Sequence, residues 1–136
     1  MHKFRVSTRR REELQDITSE VARVIGASGL KSGLCVVYCP HTTAALTVNE
    51  GADPDVAEDI ISGLGHLVPS SLRFKHAEGN SDAHIKASLF GPSLTLIVEE
   101  GRPVLGTWQR IFFCEFDGPR ERSVFVRTVA GGAGKE

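Results

Sequence analysis

No part of this chain stays apolar for long. The longest such run, Leu34-Cys35-Val36-Val37-Tyr38-Cys39, has six residues, against about 20 for a membrane-spanning helix. The opening Met1-His2-Lys3-Phe4-Arg5-Val6 interleaves charge with apolar residues and lacks a leader's apolar region. Neither a membrane span nor a signal peptide is expected, and the expected location is the cytoplasm. Cysteine is scarce, with only Cys35, Cys39 and Cys114. An odd count suits reduced thiols better than a secreted disulfide framework. On one strand Cys35 and Cys39 would stand about 13 Å apart at about 3.3 Å per residue, beyond the roughly 7 Å a bridge allows. An excess of one charge is also missing: sixteen Lys and Arg face seventeen Asp and Glu, so no nucleic-acid partner is expected. Ready-made metal signatures are lacking too, since there is no Cys-x-x-Cys and no His-x-x-x-His.

What is present reads as one globular domain. The 136 residues are 40% hydrophobic and 24% charged, enough for a single core. We expect one domain over residues 1–129 and a flexible glycine-rich tail over 130–136. Phe4 and Val6 alternate with polar residues as in a strand, which ends in the basic turn Thr8-Arg9-Arg10-Arg11. Ile17, Val21, Val24 and Ile25 form a helical stripe, with Asp16 to cap it and Gly29 to stop it. Leu34 to Cys39 reads as a strand buried on both faces, and Ala44 to Val48 as another. Asp53-Pro54 opens a second helix through Val56, Ile60, Ile61 and Leu64, ending at Gly65. Residues 66–82 show no period, a short helical turn is expected over Ala83 to Leu89, and three antiparallel strands follow: Ser93 to Val98, Thr107 to Phe116 and Arg122 to Val129. The expected class is α+β, a sandwich-like antiparallel core with two main helices.

Three histidines stand in polar settings: His41 before Thr42-Thr43, His76 before Ala77-Glu78-Gly79-Asn80, and His84 after Asp82-Ala83. Neutral imidazole binds divalent metals, and near neutral pH it passes protons; the bland alternative is a hydrogen-bonded, partly buried ring. The acids Glu50, Asp53, Asp55, Glu58 and Asp59 suit either Mg²⁺ or the start of a helix, with Glu50 the more open because it precedes the cap. Lys86, Arg102 and Arg120 are candidates for phosphate oxygens. Trp108 and Gln109 offer a stacking face and an amide, Glu115 and Arg120 a charge pair, while Cys39 and Cys114 read as inert thiols.

The segments His41-Thr42-Thr43-Ala44-Ala45-Leu46-Thr47-Val48-Asn49-Glu50, Asn80-x-x-Ala83-His84, Gly106-Thr107-Trp108-Gln109 and Cys114-Glu115-Phe116-Asp117-Gly118-Pro119-Arg120 resemble, in order, the YjbQ-like family. That resemblance implies an α+β fold with antiparallel sheet, a homotrimer, and a weak thiamine-phosphate synthase activity. It marks His41, His76, Asn80, His84, Trp108, Gln109, Glu115 and Arg120 as the polar motif positions. On this reading His41, His84 and Glu115 are catalytic. Asn80, Lys86, Trp108, Gln109 and Arg120 bind the ligand, a small phosphorylated metabolite. His41, His76, His84 and Glu50 hold a divalent metal, Zn or Mg. Arg110 departs from the small residue expected after Gln109. Two alternatives stay open: a non-catalytic trimer that binds a metal or a phosphorylated metabolite, and a metal-dependent phosphoester hydrolase.

Overall fold

A computed structural model describes residues 1–132. The elements run β1 (His2–Ser7), β2 (Glu13–Asp16), α1 (Thr18–Ser28), β3 (Gly33–Tyr38), β4 (Ala44–Glu50), α2 (Pro54–Leu67), α3 (Ser81–Phe90), β5 (Ser93–Glu99), β6 (Arg102–Pro103), β7 (Gln109–Glu115) and β8 (Glu121–Ala130). They build a five-stranded sheet in the order β1-β8-β3-β5-β6 and a three-stranded sheet in the order β2-β7-β4. Every pairing is antiparallel. The class is α+β, as expected. Among the described residues no helix is long and apolar enough to cross a membrane.

Two cores give three layers. The first lies between the sheets and takes in α1, with Val21, Ile25, Val37, Leu46, Phe113 and Val124 all buried. The second lies on the other face of the small sheet, where Phe112, Cys114 and Phe116 meet Leu64 of α2 and Ala83 and Ala87 of α3. β7 therefore feeds both cores: Ile111 and Phe113 go to the first, Phe112 and Cys114 to the second. The strand expected to be covered on both faces was Leu34 to Cys39. In β3 only Cys35 and Val37 are buried, and Leu34 and Tyr38 are more than two-fifths exposed, because none of the described residues covers the outer face of the large sheet there.

The local signals place most boundaries. The Asp16 carboxylate accepts the Thr18 N–H at 2.9 Å, and Gly29 closes α1 with φ 74°, a conformation glycine adopts without a Cβ penalty. Asp53 caps α2 by accepting the Asp55 N–H at 2.9 Å, with Pro54 in the first turn. Three expectations need correction. α2 runs past Gly65 to Leu67. The helical turn over Ala83 to Leu89 is a full helix, Ser81–Phe90. β2 takes in Asp16, read as a helix cap, and the two-residue β6 falls between expected strands where none was read. β8 extends through Ala130, and the Gly131 N–H donates to Ser32 O at 3.0 Å. Residues 133–136 of the expected tail lie outside the described residues.

Candidate functional site

The strand ends near the β7–β8 turn converge on a buried ion pair. Glu115 is the last residue of β7 and is fully buried; Arg122, on the inward face of β8 in line with Val124 and Val126, is 3% exposed. The Arg122 Nε donates to Glu115 Oε1 at 2.9 Å, and its Nη2 donates to Glu115 Oε2 and to Thr43 Oγ1, the latter at 2.9 Å. The Thr8 hydroxyl donates to Glu115 Oε1 at 2.7 Å, and the Asp117 N–H to Oε2 at 3.1 Å. Burial alone would raise the Glu115 pKa, but the bonds from Arg122, Thr8 and Asp117 outweigh it and hold the carboxyl below the usual range. Glu115 is thus an ionised anchor with its oxygens occupied.

In front of this pair opens a polar cleft of about 350 Å³ lined by His41, Thr42, Asn80, His84, Asp117 and Arg120, among others. His41 follows β3 and Pro40, and its Nε2 accepts the Ser123 N–H at 2.9 Å. That nitrogen is therefore unprotonated, and in the neutral ring the proton sits on Nδ1. Burial first, then the positive charge of Arg122, lowers the His41 pKa, which keeps the ring neutral. As placed, His41 is a hydrogen-bond donor and its Nε2 is closed to a metal. Asp117 organises the opposite wall. Its Oδ2 accepts from Asn80 Nδ2 at 2.9 Å and from Arg120 Nη2 at 3.1 Å, while its backbone carbonyl takes Arg120 Nε at 3.0 Å. Arg120 keeps Nη1 free of protein partners among the described residues, and the buried Asn80 Oδ1 has no donor. His84 comes from α3, and the His76 ring stands edge-on to it with centroids 5.5 Å apart.

Of the residues read from the sequence, His41, Asn80, His84 and Arg120 come together, with His76 beside them and Glu115 behind. Others do not. Lys86 is 1% exposed, with Nζ 2.9 Å from Glu12 and 3.3 Å from Asp82, so it is spent inside the protein and does not reach a phosphate. Burial would raise Asp82, yet its bonds from Arg11 and Lys86 prevail and lower it. Glu115 pairs with Arg122, and Arg120 with Asp117, in place of the expected Glu115–Arg120 pair. Glu50 lies opposite Gln109 at one end of the β4–β7 ladder, whereas Glu115 lies opposite Ala44 at the other. Six residues at about 3.3 Å each put the ends about 20 Å apart. Glu50 accepts the Ala52 and Asp53 N–H groups at 2.6 and 3.0 Å, Gln109 accepts the Gly106 N–H at 2.7 Å, and Trp108 is 63% exposed. Arg110 turns to Asp16, at 2.8 Å. The expected metal set is therefore not assembled, and among the described residues no three His, Cys, Asp or Glu side chains converge as a metal site. The three cysteines are free and buried; burial pushes Cys35 up to about 11 and Cys39 and Cys114 upward as well.

Arg122, Thr8 and Thr43 were not singled out in the sequence. The signal for Arg122 was its register: a strand that buries Val124 and Val126 also turns residue 122 inward.

A profile of the family described as UPF0047 protein YjbQ-like matches residues 2–131. The chain belongs to the YjbQ-like UPF0047 family. A UPF0047 protein of Methanocaldococcus jannaschii is 54% identical over 95% of this chain and 94% of its own length. The UPF0047 protein YugU of Bacillus subtilis is 47% identical over 93% and 96%. Among solved structures, a YjbQ/UPF0047 family protein of Clostridium acetobutylicum superposes with TM-score 0.93 at 49% identity, covering 95% of this chain and all of its own. A YbjQ-like protein of Sulfolobus solfataricus gives TM-score 0.92 at 38% identity over 96% of each chain. At these identities the fold of this YjbQ-like chain is that of its relatives.

Proposed function

We propose that the cleft between His41, His84 and Arg120 binds a small phosphorylated metabolite. The observation that carries this reading is the guanidinium of Arg120, held in place by Asp117 yet retaining a free Nη1 at the cleft. Beside it stand a neutral ring donor, His41, and an orphaned buried acceptor, Asn80 Oδ1, which suits a ligand N–H or O–H. The reaction that the family resemblance suggests is a thiamine-phosphate synthase-like transfer. The C–O bond to diphosphate breaks, diphosphate leaves with the electron pair, and a new C–N bond joins the pyrimidine-methyl carbon to the thiazole nitrogen. Arg120 and His84 would meet the charge that develops on the departing oxygens.

Calorimetry with inorganic diphosphate tests binding. Arg120→Ala should weaken it about tenfold or more, the worth of one charge-assisted hydrogen bond of about 1.5–3 kcal/mol. Unchanged affinity removes the site. Turnover abolished by His41→Ala and His84→Ala supports the transferase, while tight binding without turnover leaves a binding module.

We also propose that the protein works in the cytoplasm as a homotrimer. Support comes from the uncovered face of the large sheet, where Leu34, Tyr38, Ile97 and Val129 are each more than two-fifths exposed. They sit in register across β8, β3 and β5, with Leu34 opposite both Ile97 and Val129. Sedimentation equilibrium should give three times the chain mass, and Ile97→Lys should shift the protein toward monomer. A wild-type monomer at micromolar concentration would refute the assembly.

A further inference from the structure

A cleft larger than the histidine cleft lies elsewhere in the molecule. A groove of about 500 Å³ lies between edge strand β2 and the start of α2. Its floor is apolar, made by Leu14, Ala57, Ile61 and Phe112, of which Phe112 is buried core. This volume is in the range of sites for small organic ligands. The rim is of one sign: Glu12, Glu13, Asp16, Glu50, Asp53 and Glu58 line it, and Arg10 is the only cation that does. Lys86 and Arg11 pair with Glu12, and Arg110 with Asp16, from outside the groove. Counting these three with Arg10, the carboxylates still outnumber the cations by two. Four of the acids are held in position by the backbone: Glu13 Oε2 accepts the Arg9 and Arg10 N–H groups at 2.9 and 2.8 Å, Glu50 Oε2 accepts those of Ala52 and Asp53, and Asp16 and Asp53 accept those of Thr18 and Asp55. Glu58, exposed on α2, has no hydrogen-bond or ion-pair partner among the described residues.

The geometry points to a second binding site in this groove, for a small organic cation with an apolar body: an amine or quaternary ammonium whose hydrocarbon part lies on Leu14, Ile61 and Phe112 while its charge faces Glu58 and Glu50. Neither half of the groove alone selects this class. An apolar floor takes any hydrophobic ligand, and a carboxylate rim takes any cation; together they exclude anions and give neutral ligands no partner for the rim. The site is independent of the phosphate cleft and shares no lining residue with it.

Hexyltrimethylammonium is the probe, titrated into the full-length ¹⁵N-labelled protein, with hexyl sulfate and hexanol as controls of matched chain length. Saturable shifts are expected at the amides of Gly51, Ala57 and Ser62, with those of Asn80 and His84 unmoved and hexyl sulfate without effect. Glu58→Lys, at an exposed helical position that leaves the core intact, should weaken the ammonium at least tenfold. The inference is overturned if no saturable shift appears, if hexyl sulfate or hexanol binds as well as the ammonium, or if Glu58→Lys leaves the affinity unchanged. A failure of diphosphate binding at Arg120 would not touch this result, because the two titrations report on separate residues.

Discussion

Replacing Arg122 by alanine should cost about 3–5 kcal/mol of stability, the usual penalty for leaving one member of a buried ion pair without its partner. Domains of this kind hold only about 5–15 kcal/mol in total, so the midpoint of urea unfolding should fall by about a fifth or more. Glu115 would remain with Thr8 and the Asp117 N–H but without a cation, in a site fully closed to water. The pair also sets the acid limit. Because the folded Glu115 carboxyl lies below its ordinary value, its contribution is complete above the unfolded carboxylate pKa of about 4.3 and is lost as pH falls through the folded value. Unfolding measured between neutral and acidic pH should show that slope in the wild type. The double variant Arg122→Met/Glu115→Leu should lack this component and recover most of the lost stability. If Arg122→Ala unfolds at the wild-type midpoint, the pair does not hold the turn.

Lys86→Ala should cost a similar amount, about 3–5 kcal/mol, while leaving diphosphate affinity within about twofold of wild type at temperatures where the variant is folded. The ammonium joins Asp82 of α3 to Glu12 ahead of β2, and Arg11 approaches the Asp82 carboxylate at 3.1 Å. Calorimetry and urea melts on one preparation separate the two effects. Lost affinity with unchanged stability would return Lys86 to the role of phosphate ligand that its sequence position suggested.

The contrast between Lys86 and Arg120 shows where reading the sequence succeeded and where it failed. α1 and α2 announced themselves through apolar stripes and capping residues, because those signals are local: Asp53 and Pro54 act within three residues of each other. α3 has no such stripe. Its buried side includes Ser81, Asp82 and Lys86; Asp82 and Lys86 are satisfied by Arg11 and Glu12 some seventy residues earlier in the chain, and no period within the segment reports such partners. The same holds for Arg122, which was read only as the start of a strand and which its register places beside Glu115. The motif positions His41, Asn80, His84 and Arg120 did assemble. Trp108, Gln109 and Glu50 stayed at the far end of the β4–β7 ladder, because neighbours in a motif need not be neighbours along a strand.

β7 gives alternate side chains to both cores and ends at Glu115. The helical layer and the large sheet therefore have no seam along which one could peel away while the other stood. Separating either would strip Phe112 and Cys114, or Ile111 and Phe113, from the strand they share. The molecule should melt as one cooperative unit, with the amides of β7 exchanging their hydrogens only through global opening. The histidine cleft, fastened to the end of that strand, would then persist until that global opening.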